Sequence, residues 1–153
     1  MKICQYLDSE LIIPELKSQN KEGVLTELAT LITSQDPGLK AGEVLQVLLE
    51  RERLGSTGIG EGVAIPHGKM KNINRMIIAF GRSRQGIAFD SMDGKAAYYF
   101  FVLIAPEDSA ALHLKALAKI SRFLKNSSFK VSLSRASGRE ELLKVIQEQD
   151  NLI

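Results

Sequence analysis

The chain has 153 residues, 44% hydrophobic and 25% charged, with a formal net charge of +2. That length suits a single domain over 1–153 with a core needing no staples, and the composition excludes disordered and fibrous classes. A charge so near balance argues neither for nor against nucleic acid, and no nucleic-acid partner is expected. Cys4 is the only cysteine, which rules out an intrachain disulfide and suits a reducing compartment. The start, MKICQYLDSE, lacks the apolar stretch of a signal peptide. The longest apolar run, 96–105, is about half the ~20 residues of a membrane helix, so a cytoplasmic protein without direct membrane insertion is expected.

In chain order, Leu11-Ile12-Ile13 reads as a short strand closed by Pro14. Residues 20–34 place Val24, Leu25, Leu28, Leu31 and Ile32 at spacings of three and four, an amphipathic helix broken by Asp36-Pro37-Gly38. A second helix is expected over 41–54, with Val44, Leu45, Val47, Leu48 and Leu49 apolar and Glu50-Arg51-Glu52-Arg53 at its end. A glycine-rich segment follows, and then a short strand over 63–65. Residues 76–80 form another apolar run closed by Gly81, and a turn at Gln85-Gly86 separates it from Ile87-Ala88-Phe89. After a turn at Asp93-Gly94, residues 96–105 read as a strand buried on both faces. Helices are expected over 110–125 and 129–135, and a last one opens at 137–141 and ends near Glu148. Helices, then strands, then helices indicate an α/β domain with a mixed sheet.

The segment GSTGIGEGVAIPHGK, 55–69, carries one of the two histidines. Pro66 cannot donate to a central ladder and holds Ile65 extended, so it ends the strand or places it at an edge. Gly68 supplies a permissive turn after it. His67 is therefore expected at a strand end, where sites are common. Gly55, Gly58, Gly60 and Gly62, with Ser56 and Thr57 among them, offer amides to an anion. The spacing is neither a P-loop nor G-x-G-x-x-G.

His113 shares a core-facing stripe with Leu117, Ile120 and Leu124. It is either a core histidine satisfied by one hydrogen bond or a partner for His67. Arg51 and Arg53 either complement the helix dipole or supply a guanidinium clamp for a phosphoryl group. Glu61 is either a turn carboxylate or the group that positions the arginine. A nucleophilic imidazole, a second imidazole, an arginine and loop amides together suit phosphoryl transfer. Metal hydrolysis fits less well, because neither H-E-x-x-H nor C-x-x-C is present, and no G-x-S-x-G elbow supports a serine nucleophile.

RERLGSTGIGEGVAIPHG, 51–68, resembles the signature of the fructose/mannitol-class IIA domains of the bacterial phosphoenolpyruvate-dependent phosphotransferase system. GSTGIG with AIPHGK is most similar to the nitrogen-regulatory IIA branch, and the L-H-L-x-x-L-A pattern at 112–118 also belongs to the family. The resemblance implies a mixed sheet flanked by helices on both sides, and no cofactor. It implies that His67 is phosphorylated by the phosphohistidine of an HPr/NPr-like carrier, with Arg51 and His113 binding and neutralising phosphoryl oxygens. Glu61 matches an acidic position that some members carry, and Ser56 matches a loop hydroxyl.

In the sugar-specific branch the phosphoryl group passes to a IIB cysteine; in the regulatory branch the phosphorylation state is read by target proteins. The chain shows no IIB-like module and Cys4 lies in no IIB-like context, which favours the regulatory reading. A phosphorylation-independent binding module and a phosphohydrolase are the remaining alternatives. Lys115, Lys119, Arg122, Lys125, Lys130, Arg135, Arg139 and Lys144 make the last third basic, either a solvated face or a dock for an acidic partner.

Overall fold

A computed structural model of the chain describes residues 1–153. Two single-turn 3-10 helices, Ile3–Gln5 and Ser9–Leu11, precede β1 (Ile12–Ile13). Helix α1 (Lys21–Gln35) starts where the Asn20 side chain accepts the Gly23 N–H at 2.8 Å, satisfying one of the free amides of a helix start. It buries Val24, Leu25, Leu28 and Ile32, the stripe expected from their spacing. Helix α2 (Ala41–Arg53) buries Val44 and Leu48 and, one turn further on the same stripe, Glu52.

Strands β2 (Gly58–Gly60), β3 (Val63–Ala64), β4 (His67–Met70), β5 (Ile77–Ile87) and β6 (Ala97–Pro106) complete a six-stranded sheet. Its order is β1-β5-β6-β3-β2, with β4 also paired to β6. β5 runs antiparallel to β6, and β3 and β4 run parallel to it, so the sheet is mixed. Helices α3 (Ala110–Phe123), α4 (Ser127–Arg135) and α5 (Arg139–Leu152) follow.

β6 is the spine. Phe100, Phe101, Val102, Leu103, Ile104 and Ala105 are all fully buried. Successive residues of a strand point to opposite faces, so both faces of the sheet are covered, as the unbroken apolar run foretold. Phe101 meets Phe80 edge-on with ring centroids 4.9 Å apart, and Phe100 meets Phe89 at 5.4 Å. Each such ring contributes about 1.5–3 kcal/mol by leaving water.

Several expectations change. Gly81 does not close its strand, and Gln85-Gly86 is not a turn between strands: β5 runs through both. The irregularity is absorbed as a shift of register against β6 between Arg82 and Ile87, with Gly86 at φ +82°. Lys119 does not belong to a solvated basic face. It is buried, 2.7 Å from the buried Asp150 carboxylate, which also accepts the Ile3 and Cys4 N–H groups at 3.0 Å. That pairing draws α5 on to Leu152, beyond the expected end at Glu148. No helix is long and apolar enough to cross a membrane.

Candidate functional site

Val63 and Ala64 pair with Tyr99 and Phe100; His67 and Gly68 pair with Leu103 and Ile104. The offset along β6 is identical before and after Pro66, so the proline interrupts the hydrogen bonding without slipping the register. Its carbonyl still accepts the Leu103 N–H at 3.0 Å. His67 opens β4, the strand-end position expected for it. Gly68 is needed for a reason other than a turn: it lies within β4 and lacks a left-handed φ. A Cβ there would overlap the Val47 side chain, so Gly68 is what lets α2 settle against β4.

The result is a cleft of about 810 Å³ with β4 as floor and α2 and α3 as walls. His67 and Lys69, two apart on a strand and so on one face, rise from the floor. Arg51 comes from α2 and His113 from the first turn of α3. The structure therefore brings His67, His113 and Arg51 to one cleft, together with Arg53, the other arginine at the end of α2.

His67 Nδ1 is 2.8 Å from the Ile65 carbonyl oxygen. A carbonyl only accepts, so Nδ1 carries the hydrogen and the neutral ring keeps its lone pair on Nε2. Burial depresses the His67 pKa, and the Arg51 guanidinium adds to this; the Ile65 carbonyl and the Glu52 carboxylate push the other way without prevailing. His113 is only 4% exposed, and burial, with smaller contributions from His67 and Lys69, lowers its pKa to about 4. The two rings meet edge-to-face, centroids 5.3 Å apart at 87°. Neither nitrogen of His113 has a hydrogen-bond partner. The expectation of a core histidine satisfied by one protein hydrogen bond is not met, and an orphaned polar group at a cleft wall marks a place for a ligand.

Arg51 donates from Nη1 to the Gly55 carbonyl at 2.8 Å, which ties the end of α2 to the glycine segment. Ser56 and Glu61 are not brought to the cleft. The Ser56 hydroxyl donates to the Phe89 carbonyl at 2.7 Å and accepts the Gly58 N–H at 3.0 Å, so it shapes the loop. Glu61 sits at φ 57° in the β2–β3 turn, its N–H bound to Asp93 and its carboxylate 3.8 Å from Lys130. It makes no pair with Arg51.

Two residues escaped the sequence reading. Lys69 was signalled by period two from His67. Glu52 was signalled by its place on the Val44–Leu48 stripe, where a carboxylate must find partners. It accepts the Thr57 N–H at 2.9 Å, the Thr57 hydroxyl at 2.6 Å and the Lys21 ammonium at 2.8 Å. Burial raises its pKa, but Lys21 and Thr57 outweigh this and hold the carboxyl below its ordinary range.

The fold and cleft together define a mixed α/β domain built to present a neutral imidazole beside cations. Residues 5–149 match the family described as phosphoenolpyruvate-dependent sugar phosphotransferase system, EIIA 2. The chain is 38% identical over 146 residues to the nitrogen regulatory protein of Bradyrhizobium diazoefficiens, covering 95% of each. It is 33% identical to the fructose-specific EIIABC component of Bacillus subtilis, matching 98% of this chain and 24% of that longer one. The crystal structure of the nitrogen regulatory protein IIA-Ntr from Neisseria meningitidis superposes with a TM-score of 0.88 at 32% identity, covering 94% of this chain and 98% of that one.

The chain belongs to the phosphotransferase-system EIIA family and, within it, matches the nitrogen-regulatory branch. Membership carries a phosphotransferase role, that of a phosphoryl carrier in the phosphoenolpyruvate-dependent system.

Proposed function

We propose that His67 accepts the phosphoryl group on Nε2 from the phosphohistidine of an HPr/NPr-like carrier, and that the whole span 1–153 works as one IIA unit. The observation that carries this reading is the His67 Nδ1 contact with the Ile65 carbonyl, which leaves Nε2 as the only free lone pair on the ring. As the Nε2–P bond forms, the N–P bond of the donor breaks and its electron pair returns to the carrier's imidazole. Arg51 and Lys69 offset the charge on the phosphoryl oxygens. The orphaned His113 gains an acceptor for its ring N–H. Ser56 and Glu61 act at a distance, by shaping the loop and turn that flank the strand.

The phosphorylation state is then the output, read in the cytoplasm by regulatory target proteins, a reading supported by the likeness to nitrogen regulatory proteins. A second reading, transfer onward to a IIB cysteine for sugar uptake, is supported by the likeness to a fructose-specific component.

Incubation with phosphoenolpyruvate, the first enzyme of the system and an HPr-type carrier is expected to add one phosphoryl group, acid-labile and base-stable. The gain is expected to vanish in His67→Ala. Wild-type protein that gains nothing from a competent donor overturns the proposal. Capture of partners by the phosphorylated and unphosphorylated forms separates the two outputs, and partners indifferent to both states would point to a phosphorylation-independent module.

A further inference from the structure

Resting on the reading that His67 carries the phosphoryl group, we propose that Glu52 is a positioning residue for His67, acting through Thr57 and Ile65 to hold the ring with Nδ1 protonated and Nε2 free.

The connection is continuous. The Lys21 ammonium sits 2.8 Å from Glu52 Oε2. Glu52 Oε1 accepts both the N–H and the hydroxyl of Thr57. The Thr57 carbonyl accepts the Ile65 N–H at 3.0 Å, and the Ile65 carbonyl accepts His67 Nδ1–H at 2.8 Å. Each link places a residue whose other backbone group makes the next link, so the carboxylate helps fix where the last acceptor points.

The anchor of this relay has more than one tie. Lys21 also pairs with Asp90 at 2.8 Å and stands 5.0 Å over the Phe89 ring, whose carbonyl holds Ser56. Glu52 is therefore bonded from α1 and the glycine loop, and its Lys21 partner in turn from the β5–β6 connection. A buried carboxylate this fully paired orients its hydrogen-bond donors, which an apolar residue on the same stripe would not do.

Charge gives the relay its chemical meaning. When Nε2 bonds to phosphorus and Nδ1 keeps its hydrogen, the ring becomes cationic. The charged and titratable groups around it are Glu50, Arg51 and Arg53 from α2, His113 from α3 and Lys69 on its own strand, with Glu52 acting from behind the cleft lining. Of the two carboxylates, Glu52 is the one whose charge bears on the ring, and it favours the protonated form where Arg51 disfavours it. The Ile65 carbonyl, accepting Nδ1–H at contact distance, favours the protonated ring as well.

The test is nitrogen-15 imidazole spectroscopy of His67 across its titration, in parallel with the rate of phosphoryl uptake from a phosphorylated HPr-type carrier. Glu52→Gln is expected to lower the His67 midpoint, move population toward the Nε2–H tautomer and slow uptake about tenfold or more. Thr57→Val is expected to change the spectrum in the same direction, and Thr57→Ser to restore it. Should Glu52→Gln not fold, the Thr57 pair gives the answer. Variants that lose stability or uptake while the His67 tautomer and midpoint stay as in wild type overturn the proposal and leave Glu52 a loop anchor. Wild-type protein that takes up no phosphoryl group overturns the carrier reading instead, and the spectra still decide whether Glu52 positions the ring.

Discussion

His113 sets its ring edge-to-face against His67, centroids 5.3 Å apart at 87°, with neither of its own nitrogens bonded to protein. A buried imidazole normally secures at least one hydrogen bond, because leaving it unmade costs about 1–3 kcal/mol. Beside the one imidazole that opens a strand on the cleft floor, the first turn of α3 holds a ring whose hydrogen-bonding capacity no protein group uses.

The pair has a pH signature. The His113 pKa is lowered from 6.5 to about 4, so between those values the unfolded chain binds the proton that the folded one refuses. Its contribution to stability is complete above the unfolded value and is lost as pH falls toward 4, with a size of about 2–3 kcal/mol. Urea unfolding at neutral and mildly acid pH is expected to show that loss in wild type and a smaller one in His113→Leu.

His113→Ala is expected to slow phosphoryl uptake on His67 by about 10- to 1000-fold while the fold survives. The measurement is uptake rate beside a thermal melt. A variant that unfolds yet transfers normally in its folded fraction would show His113 to be a packing residue.

Gly68→Ala is expected to destabilise the protein by about 1–3 kcal/mol, since the added Cβ overlaps Val47 and forces α2 away from β4. Arg51 rides on α2 and leaves with it. The double variant Gly68→Ala with Val47→Ala is expected to recover stability and uptake together, a coupling that additive sites would not show.

The Cys4 thiol is pushed up to about 12 by burial, aided by the Asp150 carboxylate. Alkylation by iodoacetamide at mildly alkaline pH is expected to be slow in the folded protein, because the thiolate is the reactive form. Lys119→Met leaves the buried Asp150 unpaired and is expected to cost about 3–5 kcal/mol in urea unfolding.

What the sequence made legible was whatever repeats locally. The α1 stripe and the apolar run of β6 need only their neighbours to be read. His67, His113 and Arg51 were reachable because a motif names them. What stayed hidden depends on encounters between distant residues. Gly68 looks like a turn glycine until Val47 arrives from α2, and Lys119 looks solvated until Asp150 folds over it. Gly86 reads as a hairpin signal because a bulge and a turn draw on the same backbone freedom. Glu61 sits in the motif segment, yet its turn projects toward Asp93 and Lys130, away from the arginine it was matched with.

The matched register on either side of Pro66 has a further consequence. His67 is mounted on a strand that is laced in step to β6, and β6 lies at full depth in the core. A group added to that imidazole finds nothing behind it that can yield. Under the proposed reading, a phosphoryl group on that imidazole is expected to change the electric field at the cleft mouth more than the backbone behind it, so a partner that tells the two forms apart is expected to do so as a voltmeter does, not as a key.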